Sequence, residues 1–190
     1  MRKLILGMFV SLDGFVSGPN GEADWIFKSG DDATDDWIIE NLWQAGHLAM
    51  GARTFLEMAA YWPTAETPFA APMNEIPKIV FTKKGLADAP DANAPPGSWA
   101  NPHVASGELS KEVARLKAQP GKDIRVMGGA GLARALAAQG LINEYRLLVC
   151  SVALGKGAPL FSDLPKPLDL QLVSTKTFSG GAIALTYRPA

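Results

Sequence analysis

Four short and almost uninterrupted apolar runs, each closed by a glycine or a polar turn, constrain this chain more than any other feature. They lie at residues 4–10, 47–51, 78–82 and 123–127. A strand covered on both faces reads in this way, because neither side of its pleat meets water. Between and after these runs stand patterns of helical period at 34–44, from 53 to about 61, at 108–117 and at 132–139. The first of these helices places Trp37, Ile38, Asn41, Leu42 and Ala45 on one side, with Thr34 or Asp32 as its cap and Gly46 as its stop. Strand alternating with helix predicts a mostly parallel α/β sheet in three layers, with helices on both faces.

Beyond residue 144 the pattern changes. Residues 144–152, 168–178 and 182–188 read as strands with no helix between them, and Gly180-Gly181 is a hairpin turn. They extend the sheet at one edge as antiparallel strands, with 147–154 apolar enough to suggest an edge that a second copy covers as a homodimer. Residues 87–102 hold Pro90, Pro95, Pro96, Gly97 and Pro102 and predict a surface connection within one domain spanning 1–190.

In open α/β sheets ligands gather at the carboxyl ends of the strands, so the residues just after each strand are the informative ones. Gly128-Gly129-Ala130-Gly131 follows one strand and opens a helix, where missing side chains and free N–H groups suit an anion. Taken alone, such a cluster is more often a packing turn. Gly51-Ala52-Arg53-Thr54 offers amides, a guanidinium and a hydroxyl at another helix start, and an ordinary cap with a solvated arginine fits it equally well. Thr82-Lys83-Lys84 places a hydroxyl and two cations after a third strand, where a solvated lysine pair is the commoner explanation. Three phosphate-competent junctions in one small sheet together favour a phosphorylated dinucleotide, which needs separate subsites for pyrophosphate and 2′-phosphate. At the fourth junction, Ser11-Leu12-Asp13-Gly14, Asp13 either binds substrate or holds its own turn, the turn role ranking slightly higher.

Other function classes are disfavoured. With 18 Lys plus Arg against 19 Asp plus Glu the formal charge is −1, so no basic excess exists to engage nucleic acid. No run is long enough for a membrane span. The two histidines, His47 and His103, are far apart in sequence and no His or Cys pair has metal-ligand spacing. The single cysteine, Cys150, sits in an apolar run as a small hydrophobe, in keeping with a reducing, cytoplasmic setting. Trp25 and Trp62, each in or beside a loop, are the tryptophans placed to line a planar substrate's pocket.

At these same junctions the sequence resembles the dihydrofolate reductase-like superfamily, and within it the stand-alone proteins similar to the C-terminal reductase domain of the riboflavin-biosynthesis deaminase-reductase. The motifs that carry the resemblance are the 4–14 strand and turn, Met50-Gly51-Ala52-Arg53-Thr54-Phe55, Val126-Met127-Gly128-Gly129-Ala130, and Gly155-Lys156-Gly157-Ala158-Pro159-Leu160-Phe161. The resemblance implies a three-layer αβα fold with a mostly parallel sheet and NADPH as hydride donor. It implies Gly51, Arg53 and Thr54 on cofactor phosphates, and Thr82 and Lys83 near the 2′-phosphate. Gly128, Gly129, Ala130, Gly131 and Leu132 then surround the pyrophosphate and nicotinamide, with Val16 beside them. It also implies Phe9, Asp13, Trp25 and Trp62 toward substrate and Asp35 as proton donor. The implied activity is that of an NADPH-dependent reductase similar to 5-amino-6-(5-phosphoribosylamino)uracil reductase. An NADP-binding protein without turnover and a dihydrofolate reductase-type enzyme are the alternatives. Met127 stands where riboflavin-pathway reductases typically carry a substrate-binding glutamate.

Overall fold

The computed structural model describes residues 1–86 and 98–190. Ten strands are present among them: β1 (Leu4–Ser11), β2 (Phe15–Ser17), β3 (His47–Gly51), β4 (Lys78–Phe81), β5 (His103–Ala105), β6 (Ile124–Gly128), β7 (Glu144–Cys150), β8 (Ala158–Pro159), β9 (Leu170–Thr177) and β10 (Ile183–Pro189). The α-helices are α1 (Asp32–Trp43), α2 (Ala52–Tyr61), α3 (Ala70–Glu75), α4 (Leu109–Ala118) and α5 (Ala130–Ala138). Eight strands form one sheet in the order β5-β4-β3-β6-β1-β7-β10-β9, and β2 pairs with β8 in a small second ladder. From β5 to β7 every neighbour is parallel, while β10 runs antiparallel to both β7 and β9.

The period-two alternation of each strand sorts its side chains onto two faces. Leu4, Leu6 and Val10 of β1, Ile79 and Phe81 of β4, Ile124 and Val126 of β6, and Tyr145 and Leu147 of β7 pack with Val113 and Leu116 of α4 and Ala133, Leu136 and Ala137 of α5. Leu48 and Met50 of β3, Val80 of β4 and Leu148 of β7 pack with Ile38 and Leu42 of α1, Phe55 of α2 and Met73 of α3. Helices on both sides of a mixed, mostly parallel sheet make the three-layer αβα architecture expected from the sequence.

Several details differ from expectation. The strand at 144–150 is not an edge: β7 lies parallel to β1 over seven residue pairs and is covered on its other side by β10. Its apolar character is that of an interior strand, so it offers nothing to a second copy. The edge is β9, where Leu172 and Val173 are 51% and 45% exposed. The cap of α1 is Asp31, whose carboxylate accepts from the Thr34 amide at 2.8 Å while the Thr34 hydroxyl faces the Asp31 amide. That capping box starts the helix two residues before Thr34. Likewise α5 begins at Ala130 and not at 132, with Gly129 as its cap. Helix α3 and strand β5 were not legible, being six and three residues long, too short to show a period. Of the proline-rich stretch, residues 87–97 lie outside the described part. At its end Trp99 is fully buried, not on the surface; its indole donates to Asn74 Oδ1 at 2.8 Å and its ring lies 5.6 Å from that of Phe55.

Candidate active site

The parallel strands deliver their last residues to one end of the sheet, and the register brings the separate glycine motifs together there. Met50 of β3 pairs with Gly128 of β6, and Gly51 pairs with Phe81 of β4. The junctions at Thr82, Gly51 and Gly128 therefore sit side by side on adjoining strands. Helices α2 and α5 both start at this row, with Gly51 and Gly129 as caps, and neither receives a side-chain capping bond. Two sets of helix N-terminal amides thus face the same region without an internal acceptor, a favourable arrangement for anions.

Gly128 adopts φ +142°, a conformation that a β-carbon disfavours, and the Gly128–Gly129 peptide is cis. A β-carbon on Gly129 would stand 2.8 Å from Thr54 Oγ1, whereas nothing lies within 4 Å of one placed on Gly51 or Gly131. The space above the α2 and α5 starts is open. Ala130 and Leu132 are half-buried in the first turn of α5, with Leu132 packed on the α5-side core, as is Val16 of β2. Arg53 is exposed and its Nε donates to Glu57 Oε1 at 2.9 Å. Lys83 and Lys84 are exposed as well. The Thr82 hydroxyl donates to the Gly85 carbonyl at 3.1 Å, forming a turn that aims both lysines outward.

One strand further on, a cavity of about 270 Å³ opens on the α1 face. Phe9 of β1 and Leu148 of β7 form its floor, Ile26 and Phe27 one wall, Phe69 another, and Asp31, Asp32 and Asp35 its acidic rim. The structure thus brings Phe9 and Asp35 together. It places their neighbours differently from the sequence expectation. Trp25 does not line the cavity; it is buried at 3% exposure and its indole donates to the Glu22 carbonyl at 3.2 Å. Nor does Trp62, which packs on the core beneath α2 with its ring edge-on to Tyr61. Asp13 lies away from the cavity as well. Its carboxylate accepts from the Ser11 hydroxyl at 2.6 Å and from the amides of Leu154 and Gly155 at 3.1 and 2.7 Å. These bonds, the Ser11 one foremost, bring its pKa down to about 2 and clamp the loop after β7 onto the end of β1. Phe69 and Leu148 had no sequence signal as cavity residues, since each reaches the site by tertiary packing alone.

Asp31 and Asp35 on the rim have their pKa values moved in opposite directions. Asp31 accepts from the Ser179 hydroxyl and the Gly180 amide as well as from Thr34, and these bonds hold it well below the usual carboxylate range. Asp35 is raised, first by burial and then by the negative charge of Asp32, Asp36 and Asp31. Neighbouring carboxyls pushed apart in this way make Asp31 the readier to ionise and Asp35 the readier to take up a proton.

Comparison with known proteins agrees with this layout. The model of the RibD C-terminal domain matches residues 2–184. The chain is 34% identical to the uncharacterized protein YyaP of Bacillus subtilis (strain 168) over 186 residues, which is 98% of this chain and 94% of that protein. It is 28% identical over 184 residues to the riboflavin biosynthesis protein RibD of Corynebacterium ammoniagenes, covering 95% of this chain and 49% of that longer protein. A crystal structure of a Shewanella sp. PV-4 protein, provisionally assigned to riboflavin biosynthesis, superposes with TM-score 0.79 at 20% identity over 100% of this chain and 99% of that one. With a match over nearly all its length and a dihydrofolate reductase-like fold, the chain belongs to the RibD C-terminal domain family.

Proposed function

We propose that this protein is an NADPH-dependent reductase that acts on a planar, unsaturated C=N or C=O group held in the cavity beside Asp35. The observation that carries this reading is the pairing of two sites. An apolar-floored cavity with an acid of raised pKa on its rim lies one strand from the glycine-opened start of α5 and two from that of α2, neither of which receives a side-chain capping bond.

The residues present fit the cofactor. Unpartnered amides at the starts of α2 and α5, with no β-carbon at Gly51, Gly128, Gly129 or Gly131, form a cradle for pyrophosphate. Arg53 and Thr54 extend it on one side. Thr82 and Lys83, on the adjoining strand end, supply a hydroxyl and a cation for the 2′-phosphate. When bound, NADPH supplies a hydride, which is the cofactor's own chemistry. The chain's part is to orient and to exclude water. Phe9, Ile26 and Phe69 present apolar surface to a flat ring, and Asp35, its pKa raised by burial and then by its acidic neighbours, donates a proton to the substrate atom that gains negative character. A volume of about 270 Å³ lies just under the range of roughly 300–1,000 Å³ typical of small-molecule pockets. It accommodates a ring system while any phosphorylated arm extends into solvent.

The test is NADPH oxidation by the purified protein across a panel of dihydrofolate, the ribosylamino-pyrimidine phosphate and small cyclic imines. Turnover of one class identifies the substrate. Tight NADPH binding without turnover of any member overturns the reductase reading in favour of a cofactor-binding protein. Assembly as a homodimer, with the exposed Leu172 and Val173 of the β9 edge at the interface, belongs to the same proposal. A sedimentation-equilibrium mass near 20.2 kDa removes it.

A further inference from the structure

A second cavity, of about 30 Å³, lies at the far end of the same face, near the amino-terminal ends of the strands and the last turn of α1. Arg125 of β6 lines it. That side chain is 7% exposed, and its Nε and Nη1 are buried with no hydrogen-bond partner among the described residues. No carboxylate among those residues lies within ion-pair distance of it. The sequence makes room for this group deliberately: a β-carbon on Gly7, in the middle of β1, would stand 2.5 Å from Arg125 Cζ, Nε and Nη2. A side chain is omitted from a central strand so that a guanidinium can lie across it.

The neighbouring cation does not relieve the problem. Arg146 of β7 also lines the cavity and donates to Glu144 Oε1 at 2.7 Å, Asn41 Oδ1 at 2.6 Å and Gln44 Oε1 at 2.9 Å. Asp123 lines it too, with Oδ1 accepting the Lys3 amide at 2.7 Å. Glu144 is shared among Arg146, Arg188 and Lys3. Burial, with Arg146 nearby, lowers the Arg125 pKa only to about 10, so it is a cation at neutral pH. A buried charge with open donors is too costly to leave uncompensated.

The geometry points to a small monovalent anion bound in this cavity, with Arg125 as its principal ligand and Arg146 beside it. Its size follows from the volume. A single water needs roughly 10–15 Å³, and a space of about 30 Å³ suits an ion of chloride or formate size. The anion ties β6 and β7 to the end of α1, at the pole of the molecule opposite the glycine junctions.

The probe is chloride. Purified protein is exchanged into sodium gluconate and titrated with sodium chloride at constant ionic strength, reading the thermal midpoint and the quadrupolar broadening of the chloride NMR line. For the wild type the midpoint rises with the logarithm of chloride concentration above Kd, by about 5–10 °C at a hundredfold excess, and the chloride line broadens. Arg125→Met loses both responses, and Arg146→Gln weakens them several-fold. Should Arg125→Met fail to fold, the wild-type titration and Arg146→Gln still decide the matter. Equal wild-type midpoints in chloride and gluconate, with no broadening, mean that water fills the cavity and overturn the inference.

Discussion

Along β6, Ile124 and Val126 enter the α4–α5 face and are fully buried, whereas Arg125 between them enters the α1 face and borders a cavity. The whole sheet repeats that contrast. The α4–α5 side is filled by aliphatic side chains, Phe81 and Tyr145. The α1–α3 side holds both cavities and the buried strand-borne charges Lys78, Arg125 and Glu144. Both faces are packed with buried apolar side chains, but only the α1–α3 side also borders the two cavities, and period-two alternation lets a single strand serve both. A dry, close-packed face tolerates the polar groups opposite because it needs none of them.

The sharpest way to break this division is at Asp35. Asp35→Asn is expected to lower kcat by roughly 10²–10⁴-fold while leaving the NADPH dissociation constant unchanged. As the donor must be protonated, wild-type kcat/KM falls as pH rises through the raised pKa of Asp35, and the variant loses that limb. Retained turnover would mean that the α1 face does not carry the proton.

The opposite face is tested by Leu136→Ala. Leu136 is fully buried on α5, so the cavity costs about 2–5 kcal/mol of stability in denaturant melts, with kcat/KM unchanged in the folded protein. A catalytic defect at equal stability would show that the faces are coupled.

Lys78 extends the comparison to pH. It is buried beneath Trp99, 4.3 Å from the ring centre, and donates to the Ile76 carbonyl and the Ser98 hydroxyl. Burial brings its pKa down to about 7. Between that value and the unfolded one, near 10.4, the unfolded chain binds more protons, so stability rises with pH. The clean window ends near 8.5, where Cys150, pushed up to about 11 by burial, keeps its proton in the native chain and opposes the slope. Stability should therefore gain on the order of 2 kcal/mol from pH 7 to 8.5, and Lys78→Met should flatten that rise in urea melts.

The smallest effect belongs to the exposed rim of the cofactor cradle. Lys83→Ala is expected to weaken NADPH about tenfold and to leave NADH unchanged, read from both dissociation constants. Equal wild-type affinities for the two cofactors would remove the 2′-phosphate subsite from this strand end.

The sequence by itself determined the strands β1, β3, β4 and β6, the glycine junctions that follow β3 and β6, and the helices that those two junctions open. Each is written in a local pattern of apolar period and turn residue that needs no distant partner. Asp35 and Phe9 were legible as site residues through resemblance, without any local sign that they share a cavity. Only the tertiary structure decided that β6 inserts between β3 and β1, which brings Gly128 beside Gly51. It alone placed β7 in the interior, made Trp25 core, took Asp31 as the cap of α1 and committed Asp13 to a loop clamp. It also set Gly7 against Arg125, two residues far apart in sequence that no local pattern links. Strand order and the choice of face are settled by contacts between residues far apart in sequence, and such contacts leave no trace in a window of ten residues.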